Sequence, residues 1–210
     1  MIENNSKRNL YWKVALCSLA IIVIGLILWK LDFEILFFIQ NHLRNDLFDV
    51  IVPFYTTLGE GGILWITIGV IMLIPKKTRK CGIMVLAALL VMLIVNNFVL
   101  KNLIARSRPC WTYPEMVDLV DIPKSYSFPS GHTVSAFAVA FVILSQHKKL
   151  GIVTVVMATL MALTRLYVFV HFPTDIYGGI LVAAAIAWFV CFMEKKLTPI
   201  IMSKLQKKAE

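Results

Sequence analysis

The sequence has few charged residues for its length. Asp, Glu, Lys and Arg together make up 16% of the 210 residues, compared with about 25% in soluble domains. Hydrophobic residues make up 59%, and the mean hydropathy is +0.79. This composition excludes an ordinary soluble globular protein. It predicts an integral membrane protein in which residues 1–210 form a single domain.

The sequence also lacks a cysteine pattern and a cluster of carboxylates. Its four cysteines, Cys17, Cys81, Cys110 and Cys191, show neither metal-ligand spacing nor a paired arrangement, so we expect no zinc site and no disulfide framework. Cys17 and Cys191 lie within apolar runs and are predicted to be small core residues. Because no group of several Asp or Glu residues occurs, we expect no bound metal and no other cofactor.

Six apolar runs predict six transmembrane helices, at residues 14–29, 63–74, 81–100, 133–145, 150–170 and 176–193. The second run is short for a span of about 20 residues, and we expect it to include residues 58–62 as its outer turn. Residues 32–54 mix apolar and charged side chains at helical spacing, which predicts short amphipathic helices at the membrane interface. The predicted fold class is all-α, a polytopic membrane helical bundle.

The distribution of positive charge predicts the orientation of this bundle. Trp12 and Trp29 bracket the first run as interfacial residues do, and no small-residue cleavage site follows it, so we predict a retained helix. With the N-terminus inside, 14 of the 21 Lys and Arg residues fall on the inner side and seven on the outer. The positive-inside rule then places both termini in the cytoplasm. The net charge of +9 is explained by these loops, and no nucleic-acid partner is expected.

Three polar clusters fall on the predicted outer face. They contain the candidate site residues Lys101 and Arg108 in the first cluster, Ser130, Gly131 and His132 in the second, and Arg165, His171 and Asp175 in the third. Ionisable side chains at membrane depth are expensive and indicate a functional site. Each has a simpler interpretation in isolation, such as an interfacial anchor, a helix cap or a capped surface histidine. The convergence of all three favours function.

These residue types suit a phosphoryl group. Ser130 is predicted to be the N-cap of a helix, whose free N–H groups favour an anion, and Gly131 lets the backbone approach closely. The cations Lys101, Arg108 and Arg165 are able to surround phosphate oxygens. They also provide the charge neutralisation that phosphoryl transfer requires.

The remaining three residues supply the groups for covalent catalysis. Pro173 suits the first turn of a helix, which places Asp175 in that turn and within reach of His171. An imidazole oriented by a carboxylate is able to act as a nucleophile, and His132 is able to protonate a leaving oxygen. Arg106 is predicted to be a solvated loop residue, with an auxiliary phosphate contact as the alternative. Asn96 and Asn97 either line the entrance or form hydrogen bonds between helices.

The three clusters together resemble a known family. Lys101-x6-Arg108-Pro109, Pro129-Ser130-Gly131-His132 and Thr164-Arg165-x5-His171-x3-Asp175 are similar to the three motifs of the type 2 phosphatidic acid phosphatases, a family that includes vanadium haloperoxidases and bacterial lipid phosphatases. The resemblance covers residues 101–175 and the six-span layout. One departure is Thr164, where the family usually has Ser.

The resemblance implies roles for the eight residues. His171 would be the nucleophile that forms a phosphohistidine, Asp175 its partner and His132 the general acid. The substrate phosphate would be bound by Lys101, Arg108, Ser130, Gly131 and Arg165. We therefore expect a metal-independent membrane phosphatase acting at the extracytoplasmic face. Its substrate would be undecaprenyl pyrophosphate, phosphatidylglycerol phosphate or phosphatidic acid.

Two alternatives come from other classes of protein. A phospholipid or anion transporter would use the same basic site to bind phosphate without cleaving it, but it has no need for an oriented nucleophile opposite a second histidine. A haloperoxidase is disfavoured because those relatives are soluble. The oligomeric state stays open.

Overall fold

The computed structural model describes the backbone of residues 2–209 and the side chains of residues 12–200 and 203. Over these residues the chain is helical and contains no strand. Its α-helices are α1 Ile2–Lys30, α2 Asp32–His42, α3 Asp46–Thr57, α4 Ile63–Leu73, α5 Arg79–Met92, α6 Lys101–Ile104, α7 Pro109–Thr112, α8 Gly131–Gln146, α9 Lys148–Tyr167 and α10 Pro173–Ala209. A π-helical stretch, Leu93–Leu100, connects α5 to α6 without a break.

The core of the molecule lies around α8. This helix packs against α5, α9 and α10, and residues 133–140 are buried without exception. Ala136, Ala138 and Ala140 are small, so neighbouring helices approach closely. A Cβ on Gly151 of α9 would lie 2.2 Å from the Leu144 Cα, which shows how tightly the α8–α9 hairpin is packed.

Four helices are long and apolar enough to cross a membrane, namely Trp12–Lys30, Arg79–Ile104, Lys148–Tyr167 and Pro173–Ile200. The helix pair α3 and α4 passes the same test together but bends by 50° between its halves. The predicted all-α membrane bundle is confirmed. Six spans stay a prediction, because α8 is shorter and the bent pair is either one broken span or a re-entrant loop.

The bend between α3 and α4 follows from glycine. Gly61 and Gly62 have φ angles of +59° and +75°, a left-handed conformation that other residues rarely adopt. Residues 59–62, which were expected to fall in the outer turn of the second span, form this bend. Residues 32–54, predicted to be short interfacial helices, form α2 and the first part of α3. The α3 helix packs against α9, and Thr56 near its end is fully buried.

The first helix lies at the periphery. It packs against α10 and α2, and none of its 18-residue apolar window is buried. Cys17 is exposed, so its prediction as a core residue is wrong; Cys191 is half-buried. The predicted anchors Trp12 and Trp29 are 65% and 67% exposed. The side chains of Lys7, Arg8, Lys204, Lys207 and Lys208, which the charge count places inside, lie outside the described residues.

The ends of four helices meet at one end of the bundle. There α6 ends, α8 begins, α9 ends and α10 begins, because successive long helices run antiparallel. The connection 105–130 covers this end. Its turns are held by hydrogen bonds such as Ser127 N–H to Arg106 O at 2.8 Å and Trp111 Nε1–H to Pro123 O at 3.0 Å.

Candidate active site

The three polar clusters predicted from the sequence meet at one cavity, at the end of the bundle where α8 and α10 begin. The cavity has a volume of about 700 Å³. Its polar wall includes six of the eight candidate residues: Lys101, Arg108, Gly131, His132, Arg165 and His171. The other two, Ser130 and Asp175, are fully buried behind this wall.

His171 lies in the short segment between α9 and α10, and 1% of it is exposed. Arg108 Nη1 donates a hydrogen bond to His171 Nε2 at 3.0 Å. Nε2 therefore has the lone pair and Nδ1 carries the proton. Burial lowers the pKa of His171 well below its ordinary value, and the Arg108 and Arg165 guanidiniums lower it further. The imidazole is neutral at physiological pH, as a nucleophile has to be.

Asp175 lies in the first turn of α10, as predicted. Pro173 is the first residue of that helix, where a backbone N–H is not needed. The carboxylate turns back on the chain, so that its Oδ2 accepts a hydrogen bond of 2.8 Å from the Phe172 N–H, as the acidic residue of a capping box does. Its Oδ1 accepts a hydrogen bond of 2.7 Å from Arg106 Nη1. Both oxygens are therefore held by groups other than the imidazole.

A serine connects Asp175 to His171. The predicted direct contact exists, but His171 Nδ1 and Asp175 Oδ2 are 3.4 Å apart, which is long for a hydrogen bond. The hydroxyl of Ser127 lies 3.3 Å from His171 Nδ1 and donates a short hydrogen bond to Asp175 Oδ2. Ser127 is fully buried. The imidazole is thus oriented through a hydroxyl as well as by the carboxylate itself.

Three buried cations surround the cavity. Lys101, Arg108 and Arg165 are 8%, 3% and 5% exposed. Lys101 Nζ donates to Ser125 Oγ at 3.1 Å, and Arg165 Nη1 donates to Thr56 Oγ1 at 2.6 Å. Within the described part of the chain, none of the three cations pairs with a carboxylate. Buried cations that form no ion pair favour an anion in the space between them.

The start of α8 forms a second side of the cavity. Ser130 occupies the predicted N-cap position, with φ −63° and ψ 115°. Its hydroxyl makes no capping hydrogen bond and, among the described residues, has no partner; its N–H donates to the Asp175 carbonyl at 3.2 Å. Gly131 lines the cavity. The helix N-terminus predicted to favour an anion therefore lies next to the buried cations.

His132 faces the cavity that His171 lines. Its Nε2 is buried and has no hydrogen-bond partner among the residues that the structure describes. The ring packs directly against Gly59, because a Cβ there would lie 2.6 Å from His132 Cδ2. A buried polar atom without a partner in a cavity wall is available to a ligand. His132 and His171 therefore line the same cavity, and their roles as general acid and nucleophile stay a prediction.

The opposite wall of the cavity is apolar. It is formed by α4, α5 and the π-helical stretch through Ile66, Leu86, Leu89, Leu90, Met92 and Leu93. A cavity with one cationic wall and one apolar wall suits an amphipathic ligand.

Metal ligands do not converge in the described part of the structure. No group of three or more His, Cys, Asp or Glu side chains there has the arrangement of a metal site. The four cysteines are free thiols: Cys81 and Cys110 are buried, Cys17 is exposed and Cys191 is intermediate. The positive charge of the cavity comes from Lys101, Arg108 and Arg165.

The similarity of this sequence to a known family extends beyond the three motifs in residues 101–175. The family model described as the PAP2 superfamily matches residues 81–199, more than half of the chain. The chain belongs to the PAP2 superfamily. The resemblance to type 2 phosphatidic acid phosphatases, which was drawn from residues 101–175, is therefore confirmed.

Individual PAP2 relatives are similar over most of their length. Bacitracin transport permease protein BcrC of Bacillus licheniformis is 28% identical over 73% of this chain and 78% of its own length. An undecaprenyl-diphosphatase of Sulfolobus acidocaldarius is 33% identical over 60% of this chain and 61% of its own length. The crystal structure of a transmembrane PAP2-type phosphatidylglycerolphosphate phosphatase from Bacillus subtilis aligns with a TM-score of 0.66 and 27% identity, covering 86% of this chain and 96% of that one.

Two polar residues of this PAP2 chain had alternative predictions. Asn97 lines the cavity, as one alternative required. Asn96 is buried and donates from its amide to Asn97 Oδ1 at 2.9 Å. Asn96 and Asn97 are therefore hydrogen-bonded to each other within one helix, rather than to a neighbouring helix.

Several residues at this site were not predicted. Arg106 is not a solvated loop residue: it forms ion pairs with Asp32 and Asp175, and its side chain is 24% exposed. Ser127 was not among the predicted site residues, although its position three residues before Ser130 was a usable signal. Asp32 and Thr56 lie outside residues 81–199 and carry no local pattern that indicates their contacts.

Proposed function

We propose that this protein is a membrane lipid phosphatase in which His171 attacks phosphorus. The observation that carries the proposal is the neutral, buried imidazole. Its Nε2 lies beside Arg108 at 3.0 Å, and its Nδ1 lies beside Ser127 at 3.3 Å. A phosphoryl group held by the three cations would present its phosphorus to Nε2, while the Ser127 hydroxyl holds Nδ1 on the opposite side of the ring.

The proposed reaction has two steps. In the first, Arg108 Nη1 releases Nε2 of His171 and turns to a phosphoryl oxygen. The freed Nε2 lone pair forms a bond to phosphorus while the bond to the lipid oxygen breaks, and His132 donates a proton to that oxygen. In the second, water attacks the phosphohistidine, His132 accepts the proton from that water, and the N–P bond breaks to release phosphate. Lys101, Arg108 and Arg165 offset the negative charge that spreads over the phosphoryl oxygens. Because these cations supply that charge, we propose that no metal is needed.

The proposed substrate is a phosphorylated lipid. The cationic wall would hold the phosphate, and the apolar wall along α4 and α5 would contact the chain. Candidates are undecaprenyl pyrophosphate, phosphatidylglycerol phosphate and phosphatidic acid. The names of the relatives from S. acidocaldarius and B. subtilis support the first two. The charge distribution supports a cavity on the extracytoplasmic side with both termini in the cytoplasm.

The test is phosphate release by purified protein in detergent. Wild type, His171→Ala and the control His147→Ala are assayed on the three candidate lipids with and without EDTA. His147 lies in the turn between α8 and α9, at the opposite end of the bundle. We expect turnover by wild type and by His147→Ala in EDTA, and loss by His171→Ala. Turnover by His171→Ala at the wild-type rate would remove the nucleophile assignment.

A second candidate function is transport. The name of the B. licheniformis relative includes the words transport permease, and a basic cavity binds phosphate whether or not it is cleaved. Vanadate separates the two functions, because it mimics the trigonal-bipyramidal transition state and binds a catalyst more tightly than phosphate does. Equal affinity for vanadate and phosphate, without hydrolysis of any of the three lipids, would favour the transporter.

A further inference from the structure

Arg106 lies between two buried carboxylates. Its Nη1 donates to Asp175 Oδ1 at 2.7 Å, and its Nη2 donates to Asp32 Oδ2 at 2.6 Å. Its guanidinium carbon also lies 4.1 Å from the centre of the Phe172 ring. A planar guanidinium held at both ends and on one face has little freedom. The position of Arg106 is therefore set by Asp32 as much as by Asp175.

Asp32 in turn is fixed against the start of α10. It is the first residue of α2, and 3% of it is exposed. Its Oδ1 accepts from the Thr174 N–H at 3.0 Å, and its Oδ2 accepts from the Thr174 hydroxyl at 2.6 Å. The Thr174 N–H belongs to the first turn of α10, whose N–H groups have no partner within the helix. A carboxylate from another helix is stabilised there by these groups and by the helix dipole.

This arrangement divides the two oxygens of Asp175 between two tasks. Oδ1 is occupied by Arg106, whereas Oδ2 faces Ser127 and the imidazole of His171. If Arg106 moved away, the carboxylate would lose the contact that fixes its rotation. The imidazole would then lose its defined orientation toward the cavity. Asp32 and Arg106 do not line the path between His171 and the cations, so their influence acts through Asp175.

We propose that Asp32 and Arg106 are positioning residues that orient His171 through Asp175. We call Asp32, Arg106, Thr174 and Asp175 the positioning cluster. The inference rests on the proposed function. Asp32 lies outside residues 81–199, the part that the PAP2 family model matches. The α1–α2 segment of this chain thus takes part in catalysis through a single carboxylate.

A second ion cluster provides a matched control. The α3 cluster consists of Arg44, Asp49 and Asp118. Arg44 also bridges two carboxylates, at 2.8 Å to Asp49 and 2.9 Å to Asp118, and its side chain is 23% exposed compared with 24% for Arg106. None of these three residues lines the cavity. A substitution of Arg44 therefore measures the effect of losing two ion pairs without any change at His171.

The experiment compares Asp32→Asn, Asp32→Glu, Arg106→Gln and the double variant Asp32→Asn/Arg106→Gln with Arg44→Gln. Wild type is first assayed on undecaprenyl pyrophosphate, phosphatidylglycerol phosphate and phosphatidic acid, and the best of the three is used for kcat and KM. Folding is checked by gel filtration and thermal unfolding in detergent, and inhibition by inorganic phosphate reports the anion site directly.

We expect Asp32→Asn to lower kcat by about 10- to 100-fold, the loss typical of a misplaced reacting group. KM and the inhibition constant of phosphate should change by less than about threefold, because the three cations stay in place. Asp32→Glu should recover part of kcat. In the double variant, Asp32→Asn should add almost nothing to Arg106→Gln, since both act through Asp175. Arg44→Gln should keep the wild-type kcat.

Three outcomes would overturn the inference. The first is an Asp32→Asn variant that folds and keeps kcat within twofold of wild type. The second is a loss of kcat on Asp32→Asn that is undiminished in the Arg106→Gln background. The third is an Asp32→Asn variant with a raised KM and an unchanged kcat. Because Asp32→Asn and Asp32→Glu keep the size of the side chain or its charge, they answer the question even where Arg106→Gln does not fold. Failure of wild type to hydrolyse any of the three lipids would instead contradict the proposed function.

Discussion

The positioning cluster and the α3 cluster each place one Arg between two Asp residues, but they lie in different surroundings. In the α3 cluster the two carboxylates are 27% and 59% exposed, whereas the two that flank Arg106 are 4% and 0% exposed. Exposed ion pairs contribute about 0–1 kcal/mol to stability, since water already solvates both partners. Buried pairs have to offset a large desolvation penalty, and their geometry is correspondingly fixed.

The comparison predicts that burial, rather than residue type, decides whether a cluster of this kind affects activity. In the α3 cluster, Arg44 links Asp118, which lies in the connection 105–130, to Asp49 at the start of α3. The positioning cluster holds the Asp175 carboxylate next to His171. Substitutions in the positioning cluster should therefore lower kcat, whereas substitutions in the α3 cluster should leave kcat unchanged.

The largest expected effect comes from Asp175→Asn. We expect kcat to fall by about 10⁴-fold, because the amide favours the wrong tautomer of the neighbouring imidazole. The matched substitution in the α3 cluster, Asp118→Asn, should leave kcat within twofold of wild type. The measurement is phosphate release under saturating substrate. If Asp175→Asn kept more than a tenth of the wild-type kcat, the two clusters would not differ as described.

Removal of the bridging hydroxyl should have the next largest effect. We expect Ser127→Ala to lower kcat by about 10- to 100-fold, since His171 Nδ1 would keep only the long contact to Asp175 at 3.4 Å. KM should change little. Tyr167→Phe is the control, because Tyr167 also donates a hydroxyl hydrogen bond to a carboxylate, at 2.6 Å to Asp49. Equal kcat values for the two variants would contradict the bridging role.

The pH dependence should show a smaller effect. Because burial and Arg108 lower the pKa of His171, the imidazole stays neutral as pH falls through its ordinary value of about 6.5. The acidic limb of kcat/KM should therefore lie below that value, in wild type and in Arg44→Gln alike. The unfolded chain takes up a proton on this histidine that the folded chain does not, so stability should decrease as pH falls below about 6.5. An acidic limb at pH 6.5 or above in kcat/KM would argue against a buried, neutral nucleophile.

The smallest effect is expected at Tyr167, whose hydroxyl donates to Asp49 of the α3 cluster. We expect Tyr167→Phe to lower the free energy of unfolding by about 1 kcal/mol, the contribution of one hydrogen bond, and to leave kcat unchanged. Thermal unfolding in detergent measures the first and phosphate release the second. A large fall in kcat without a fall in stability would mean that the α3 cluster also acts on the cavity.

The sequence predicted much of this site because its helices are antiparallel. Lys101, Arg108, His132, Arg165 and His171 each lie at the end of an apolar run, so assigning the spans was enough to bring them to one end. The capping position of Ser130 and the place of Asp175 in its helix followed from local rules.

The remaining contacts depend on how helices pack. Asp32 and Arg106 are 74 residues apart, and each also fits a polar residue near a membrane surface. Thr56 lies between the predicted amphipathic helices at residues 32–54 and the expected outer turn at residues 58–62, and nothing local shows that α3 packs against α9. The exposure of Cys17 was missed for a related reason: an apolar helix in a membrane faces lipid as readily as protein, so hydropathy does not distinguish the two.

The π-helical stretch Leu93–Leu100 determines which way Lys101 faces. The Lys101 N–H bonds to the Asn96 carbonyl five residues back, whereas an α-helix uses the carbonyl four residues back. One additional residue in a turn rotates every later side chain by about 100° around the helix axis. Deletion of a single residue from this stretch would restore regular winding and turn the Lys101 side chain by about 100°, away from its present place in the cavity wall. The position of the Lys101 ammonium is thus encoded in backbone winding as well as in the choice of lysine.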